Sequence, residues 1–332
     1  AGRTPSSCPS RCGHGRGRQT THQDIVPGWN GDHPGRNERR TGNVTERIAI
    51  IGAGKIGEAL LAGLLAAGKQ AKNIVVAERV ESRAKEIADE YGVLVTDVAS
   101  AAENAQYVFL AIKPDAVDAV LRKLAATDDD AESERVTVTL VAGIPISRYE
   151  GALQAGSPVV RVMPNTPMLV NEAMSGVSAG RYVSDEQLAE VVGLLESVGK
   201  VAVLPEQQMD AVTAISGSGP AYVFLLAEAM IDAGVALGLT RAQAAEMTVQ
   251  TVRGAGLLMS ESGLSPVDLR AAVTSPGGTT AAAIREFEVG GLRASTYEAT
   301  RAAAVASARS GHRPEVEGLS GGSATRGDRE TS

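Results

Sequence analysis

The chain has 332 residues, 43% hydrophobic and 21% charged, a balance that suits a soluble globular protein with room for two cores and excludes a fibrous or wholly disordered one. Its net charge of −7 is uneven, because residues 1–46 carry seven Arg against four Asp and Glu, which leaves −10 for the remainder. An acidic body with 3% aromatic residues lacks the cationic surface and stacking platforms that nucleic acid needs, and the most apolar stretch, residues 221–239, contains Glu228 and Asp232 and reads as a buried helix rather than a membrane span.

Residues 1–46 are rich in Gly, Arg, Ser, Thr and Pro, show no apolar periodicity and do not begin with Met. They read as a disordered extension, best explained by a translation start assigned upstream of the real one near Val44. Cys8 and Cys12, the only cysteines, lie here with His14, but no second ligand pair follows at zinc-site spacing, so no metal site is expected. A core without cysteine fits a cytoplasmic, disulfide-free fold, and no signal peptide is visible.

Regular structure begins at Arg47. A β-branched strand, Ile48-Ala49-Ile50-Ile51, runs into Gly52-Ala53-Gly54-Lys55-Ile56-Gly57 and then a helix over residues 58–67. This is a dinucleotide fingerprint in its required context: one glycine for the turn, one for approach of the pyrophosphate, one for packing helix against strand. The second strand, residues 74–77, ends at Glu78-Arg79. Glu78 suits a free ribose 2′-hydroxyl and thus NADH, whereas Arg79, with Arg83 a turn later, suits the 2′-phosphate of NADPH; the arginines taken together favour NADPH.

Alternation continues with a helix over 83–90, a strand over 93–95, a helix over 100–105 and a strand over 107–112 that ends at Lys113-Pro114. A lysine at that end of a central strand lies over the cofactor cleft or is simply a surface residue. A helix over 115–124, an acidic loop over 128–134 and a strand over 136–141 follow, the last running into Ala142-Gly143. The strand over 159–163 leads to Pro164-Asn165-Thr166-Pro167, a rigid turn whose Asn165 can bond a ligand or cap the turn. Strands over 173–179 and 201–204 flank a helix over 185–198.

Beyond Pro205 the β signal stops. Helices rich in Ala and Leu are expected over 209–215, 221–237, 242–258, 266–273, 280–288 and 292–308. Several are apolar on more than one face, so this half should complete its core with another subunit. The sequence thus divides into a disordered extension (1–46), an N-terminal α/β Rossmann-type doubly wound parallel sheet (47–204), an all-α dimerisation domain (205–310) and a disordered tail (311–332).

Within the helical half, Val273-Thr274-Ser275-Pro276-Gly277-Gly278-Thr279-Thr280 precedes a helix. Hydroxyls, paired glycines and a helix N-terminus make it either a mould for a small anion or an ordinary N-cap. The chemistry available is narrow, since all four histidines lie in the two tails and no lysine follows Lys200. Reduction of a ketone needs a proton-moving side chain, whereas a C=N bond can be protonated in solution and then needs only a hydride and correct orientation.

In order, Gly52-Ala53-Gly54-Lys55-Ile56-Gly57, Ala111-Ile112-Lys113-Pro114, Met163-Pro164-Asn165-Thr166-Pro167, Ser216-Gly217-Ser218-Gly219-Pro220-Ala221-Tyr222 and Ser275-Pro276-Gly277-Gly278-Thr279-Thr280 resemble the pyrroline-5-carboxylate reductases, over about residues 47–310. The resemblance implies reduction of 1-pyrroline-5-carboxylate to L-proline, the last step of proline biosynthesis, with NADPH or alternatively NADH. It also implies a helical domain interlocked with its twin, in dimers often arranged as decamers. Carried over to this chain, the cofactor contacts are Gly52, Ala53, Gly54, Lys55, Ile56, Gly57, Arg79, Ala111, Lys113, Pro114, Val141, Ala142 and Asn165. The substrate carboxylate falls to Ser275, Gly277, Gly278 and Thr279, and the catalytic Thr280 reaches the pyrroline nitrogen. The rivals are another reductase on the same architecture, such as a β-hydroxyacid dehydrogenase, whose lysine the helical half lacks, and a nucleotide-binding scaffold without catalysis.

Overall fold

Runs of β-branched residues without polar alternation become strands buried on both faces of a sheet. The computed structural model describes residues 47–127 and 135–311; the expectations for residues 1–46, for the acidic loop 128–134 and for the tail from 312 lie outside them. Strands β1 (Ile48–Ile51), β2 (Ile74–Ala77), β3 (Leu94–Thr96), β4 (Tyr107–Leu110), β5 (Val136–Thr139), β6 (Val159–Met163), β7 (Ala173–Ala179) and β8 (Gly199–Val203) form one sheet in the order β3-β2-β1-β4-β5-β6-β7-β8. The helices threaded among them are α1 (Lys55–Ala66), α2 (Glu81–Tyr91), α3 (Val98–Ala102), α4 (Val117–Ala125), α5 (Ile146–Glu150) and α6 (Asp185–Leu195).

Side chains of successive strand residues point to opposite faces, and β1 shows the consequence. Ile48 and Ile50 pack with Leu60, Leu61 and Leu64 of α1 and Val191 and Leu195 of α6, whereas Ala49 and Ile51 pack with Val117, Leu121 and Leu124 of α4 and Tyr149 of α5. Both faces are therefore closed within the chain. The order reverses between β1 and β4, which opens a crevice at their carboxyl ends where open α/β sheets bind ligands.

The sheet departs from the all-parallel expectation at one edge. Strands β1 to β6 are parallel, but β7 runs antiparallel to β6, and β8 is parallel to β7. The link from Pro164 to Glu172 is too short for the crossover that a parallel pair requires. Two strands also stop early, at Leu110 and Thr139, so that Ala111 and Leu140 begin the loops at the crevice and Val141 lies within the second. Helix α5 was not foreseen from sequence.

The chain then turns helical, with α7 (Met209–Val212), a π-helical turn (Thr213–Gly217), α8 (Gly219–Ala236), α9 (Arg241–Glu261), α10 (Pro266–Ala272), α11 (Thr279–Val289) and α12 (Leu292–Gly311). The expected single helix over 209–215 is thus an α-turn that widens to i→i+5 bonding, with Ser218 N–H donating to the Thr213 carbonyl at 2.8 Å. Thr240 and Gln243 form a capping box that starts α9. The expectation that residues 221–239 form a buried helix fails within one protomer. No residue of α8 is buried, and Phe224 and Leu225 are 65% and 67% exposed.

At the junction of the halves, Arg161 on β6 places Nη1 3.0 Å from Glu206 Oε1, which also accepts from the Ile146 N–H at 2.8 Å. Ser307 on α12 donates to Asp210 on α7 at 2.6 Å. A guanidinium buried as Arg161 is would be costly unpaired, and Glu206 is its partner.

Candidate functional site

The fingerprint turn and the segment after β4 meet at the crevice. Gly52 has φ +100°, and a Cβ there would stand 2.6 Å from the Ala111 carbonyl oxygen; at Gly57 a Cβ would stand 2.0 Å from the Gly52 carbonyl oxygen. Only glycine lets β1, α1 and the post-β4 loop close this tightly. Gly54, by contrast, faces open space, and as N-cap of α1 it supplies no side chain to the first-turn N–H groups. Those donors are available to a phosphate. Lys55 is exposed immediately beside them.

Ala111 N–H donates to the Ile51 carbonyl at 2.9 Å, and Leu140 N–H donates to the Leu110 carbonyl at 3.0 Å. These bonds align Gly52–Gly57, Ala111–Pro114 and Val141–Ala142 along the carboxyl edges of β1, β4 and β5. Lys113 and Pro114 are exposed, Ala142 is exposed and Val141 is buried. The donors and the open cradle at Gly54 fit a dinucleotide pyrophosphate. No group of three or more His, Cys, Asp or Glu gathers among the described residues.

The three charged residues after β2 have different fates. Glu78 accepts from the Ala53 N–H at 2.9 Å and from the Val80 N–H at 2.9 Å. Arg83 donates to the Ala53 carbonyl at 3.1 Å and pairs with Glu58 on α1 and with Glu86, whose hydrogen bond, ahead of that from Glu58, raises the guanidinium pKa further. Arg83 is thus committed to the fold, which removes it from the pair expected at a 2′-phosphate. Arg79 is exposed. Tyr91 joins this cluster through Glu58, and burial with the neighbouring carboxylates pushes it up to about 12.

Asn165 uses its side chain on the protein itself. Its Nδ2 donates to the Ser216 carbonyl at 3.1 Å, and its Oδ1 accepts from the Met174 N–H at 2.9 Å. It therefore fastens the turn after β6 to the π-helical turn, and Tyr222 closes the other side by donating to the Ala214 carbonyl at 3.0 Å. Sequence reasoning missed this weld and the Arg161–Glu206 pair; a charged residue inside Val159-Val160-Arg161-Val162-Met163 was the available signal for the latter.

The loop after α10 lacks a side-chain cap for the helix it leads into, since the N-cap of α11 is Gly278. Thr274 donates back to the Arg270 carbonyl, and Gly277 has φ +70°, which turns the chain so that the Gly278 N–H donates to the Ser275 carbonyl at 3.0 Å. The hydroxyls of Ser275, Thr279 and Thr280 make no hydrogen bond among the described residues, and Ser275 and Thr279 are exposed while Thr280 is half-buried. Three hydroxyls without a partner among the described residues thus lie at or beside an uncapped helix N-terminus, whose unpaired donors suit a small anion. Nearby, Ile215, Ile284, Phe287, Leu292 and Tyr297 line an open cavity of about 550 Å³.

Comparison with known proteins adds independent findings. Residues 206–310 match the family model for pyrroline-5-carboxylate reductase dimerisation, and residues 47–143 match that for coenzyme F420-dependent NADP oxidoreductases. A pyrroline-5-carboxylate reductase of Mycobacterium leprae is 49% identical over 280 residues, 79% of this chain and 95% of that protein. One from Corynebacterium melassecola is 51% identical over 258 residues, 77% and 96% of the two chains. Among solved structures, a pyrroline-5-carboxylate reductase from Coxiella burnetii superposes with a TM-score of 0.77 at 36% identity, covering 80% of this chain and 99% of that one. A Plasmodium falciparum pyrroline carboxylate reductase with NADP bound superposes with a TM-score of 0.71 at 27% identity, covering 80% and 98%.

Proposed function

The chain belongs to the pyrroline-5-carboxylate reductase family, and on that premise we propose that residues 47–204 hold NAD(P)H while residues 205–310 hold the substrate and join a second copy. The reaction is reduction of the C=N bond of 1-pyrroline-5-carboxylate to L-proline, the last step of proline biosynthesis. The nicotinamide supplies the hydride. NADPH is the favoured form on the charge of Arg79, with NADH as the alternative.

The observation that carries this reading is the uncapped start of α11, with the free hydroxyls of Ser275, Thr279 and Thr280 around it. Ser275, the Gly277 amide and Thr279 bind the carboxylate; Gly278, expected to add its amide, instead donates that N–H to the Ser275 carbonyl and shapes the turn. Thr280 presents its hydroxyl to the ring nitrogen, orienting it or assisting its protonation. Rate acceleration comes from positioning and fixed dipoles, for which no metal and no covalent intermediate is required. Gly52 to Gly57, Arg79, Ala111, Lys113, Pro114, Val141 and Ala142 line the dinucleotide, and Asn165 supports that edge from behind. Helices α8, α10 and α11 bury no residue within one protomer, so the active unit is a homo-oligomer at least dimeric. Assembly of dimers into a decamer and a cytoplasmic location complete the proposal.

Purified protein supplied with 1-pyrroline-5-carboxylate and either NADPH or NADH should deplete nicotinamide absorbance. No loss with either cofactor would overturn the reading.

A further inference from the structure

The glycine turn is gripped from the segment after β2, and the grip reassigns Glu78. The Gly52 N–H donates to the Ala77 carbonyl at 2.8 Å, the Ala53 N–H donates to Glu78 Oε2 at 2.9 Å, and the Ala53 carbonyl accepts from Arg83 Nε at 3.1 Å. The remaining Glu78 oxygen, Oε1, accepts from the Val80 N–H at 2.9 Å. The N–H and the carbonyl of Ala53, on the two peptide units that flank its Cα, are thus both tied to residues 78–83, and both carboxylate oxygens of Glu78 are tied to backbone. Arg83 extends the clasp to Glu58 on α1, the helix whose N-terminus meets the phosphates. Arg79 alone among the three charged residues is exposed and free of any hydrogen bond or ion pair among the described residues.

An acidic residue at the end of β2 ordinarily accepts from the ribose hydroxyls and repels a 2′-phosphate. Here its charge is spread over two N–H dipoles and drawn toward β1, which weakens that repulsion. We infer that Glu78 is a positioning residue that holds the fingerprint turn in its phosphate-binding shape, and that the choice between NADPH and NADH is made by Arg79 without a vote from Glu78. The inference rests on the reductase reading of the site.

Steady-state kinetics with both cofactors on Glu78→Ala, Glu78→Gln and Arg79→Ala test it, with thermal melting as a check on folding. Loss of two charge-assisted bonds should raise KM for NADPH and for NADH alike, by roughly tenfold, with kcat at saturating cofactor little changed. The ratio of the two kcat/KM values then stays within about twofold of the parent, because the turn serves both dinucleotides equally. Glu78→Gln keeps its carbonyl acceptor and the same shape, so it should fold as the parent does and show a smaller rise of roughly threefold. Arg79→Ala should lower the ratio roughly tenfold by weakening NADPH alone. A Glu78→Ala or Glu78→Gln enzyme that shifts toward NADPH tenfold or more, or that leaves both KM values unchanged, would overturn the assignment. If the parent turns over with neither cofactor, the reductase reading fails, and direct titration of NADPH and NADH binding to the same variants still decides the role of Glu78 by the same ratio.

Discussion

The two halves of the chain solve the burial problem in opposite ways. In the nucleotide half every residue of β1, β2, β4 and β5 is buried, and α1 and α6 on one face and α4 and α5 on the other close the sheet from within. In the helical half α8, α10 and α11 bury nothing in one protomer, and α9 buries only Ala244 and Thr248. A half that is complete alone can hold a rigid cofactor cradle, whereas one that leaves its apolar faces open gets its rigidity from association. The loop proposed to hold the substrate lies in the second kind of structure, so on that proposal binding of substrate is tied to assembly in a way that binding of the dinucleotide is not.

The contrast breaks most visibly at α8. Replacing Phe224 and Leu225 together by Glu should weaken subunit association on the order of 1,000-fold, since each side chain is worth about 1.5–3 kcal/mol when buried and a charge at a closed interface adds to the loss. Sedimentation should show monomers that still bind dinucleotide; monomers that have lost dinucleotide binding as well would mean the halves are not independent. In the other direction, Gly57→Ala forces a Cβ into the Gly52 carbonyl and should weaken dinucleotide affinity on the order of 100-fold while the oligomer persists.

Thr280→Ala tests the substrate side with both assemblies intact. Removal of a hydroxyl that orients or protonates the ring nitrogen should lower kcat on the order of 100-fold, with dinucleotide affinity within about twofold of the parent. Unchanged turnover would remove Thr280 from the chemistry.

A smaller effect marks the closed half. Burial pushes Tyr149 up to about 12 from an ordinary 10, against smaller opposing effects of the Thr139 hydrogen bond and the Arg161 charge. The unfolded chain therefore releases this proton first, so stability is unaffected below pH 10 and falls between pH 10 and about 12. Denaturant titrations across that window should show a shallower fall for Tyr149→Phe, with a residue due to Tyr91, which is raised in the same direction.

Much of this was legible in the sequence because period and punctuation survive folding. Apolar runs such as Ile48-Ala49-Ile50-Ile51 and glycines such as Gly52 and Gly57 report local demands, and each became the strand or turn expected. The reversal of β7 was decided by the reach of the link from Pro164 to Glu172, a tertiary matter that no residue in it announces. Asn165 reads as a ligand group or a turn cap, and in the fold its amide donates to the Ser216 carbonyl, 51 residues away, and accepts from the Met174 N–H, a tertiary engagement that no neighbouring residue announces. Likewise Arg83 had the charge for a phosphate but was taken by Glu58, Glu86 and the Ala53 carbonyl. Ser275 to Thr280 read as cap or mould, and only the backbone showed that Gly278, without a side chain, holds the cap position.

The central claim is that this chain moves a hydride from a reduced nicotinamide onto the pyrroline carbon of 1-pyrroline-5-carboxylate. NADPH carrying deuterium at the transferable C4 position, incubated with the protein and that substrate, decides it by mass spectrometry of the product. The account expects L-proline with a single deuterium at C5, formed in step with oxidised cofactor. Proline without the label, or cofactor oxidised with no proline formed, would contradict it.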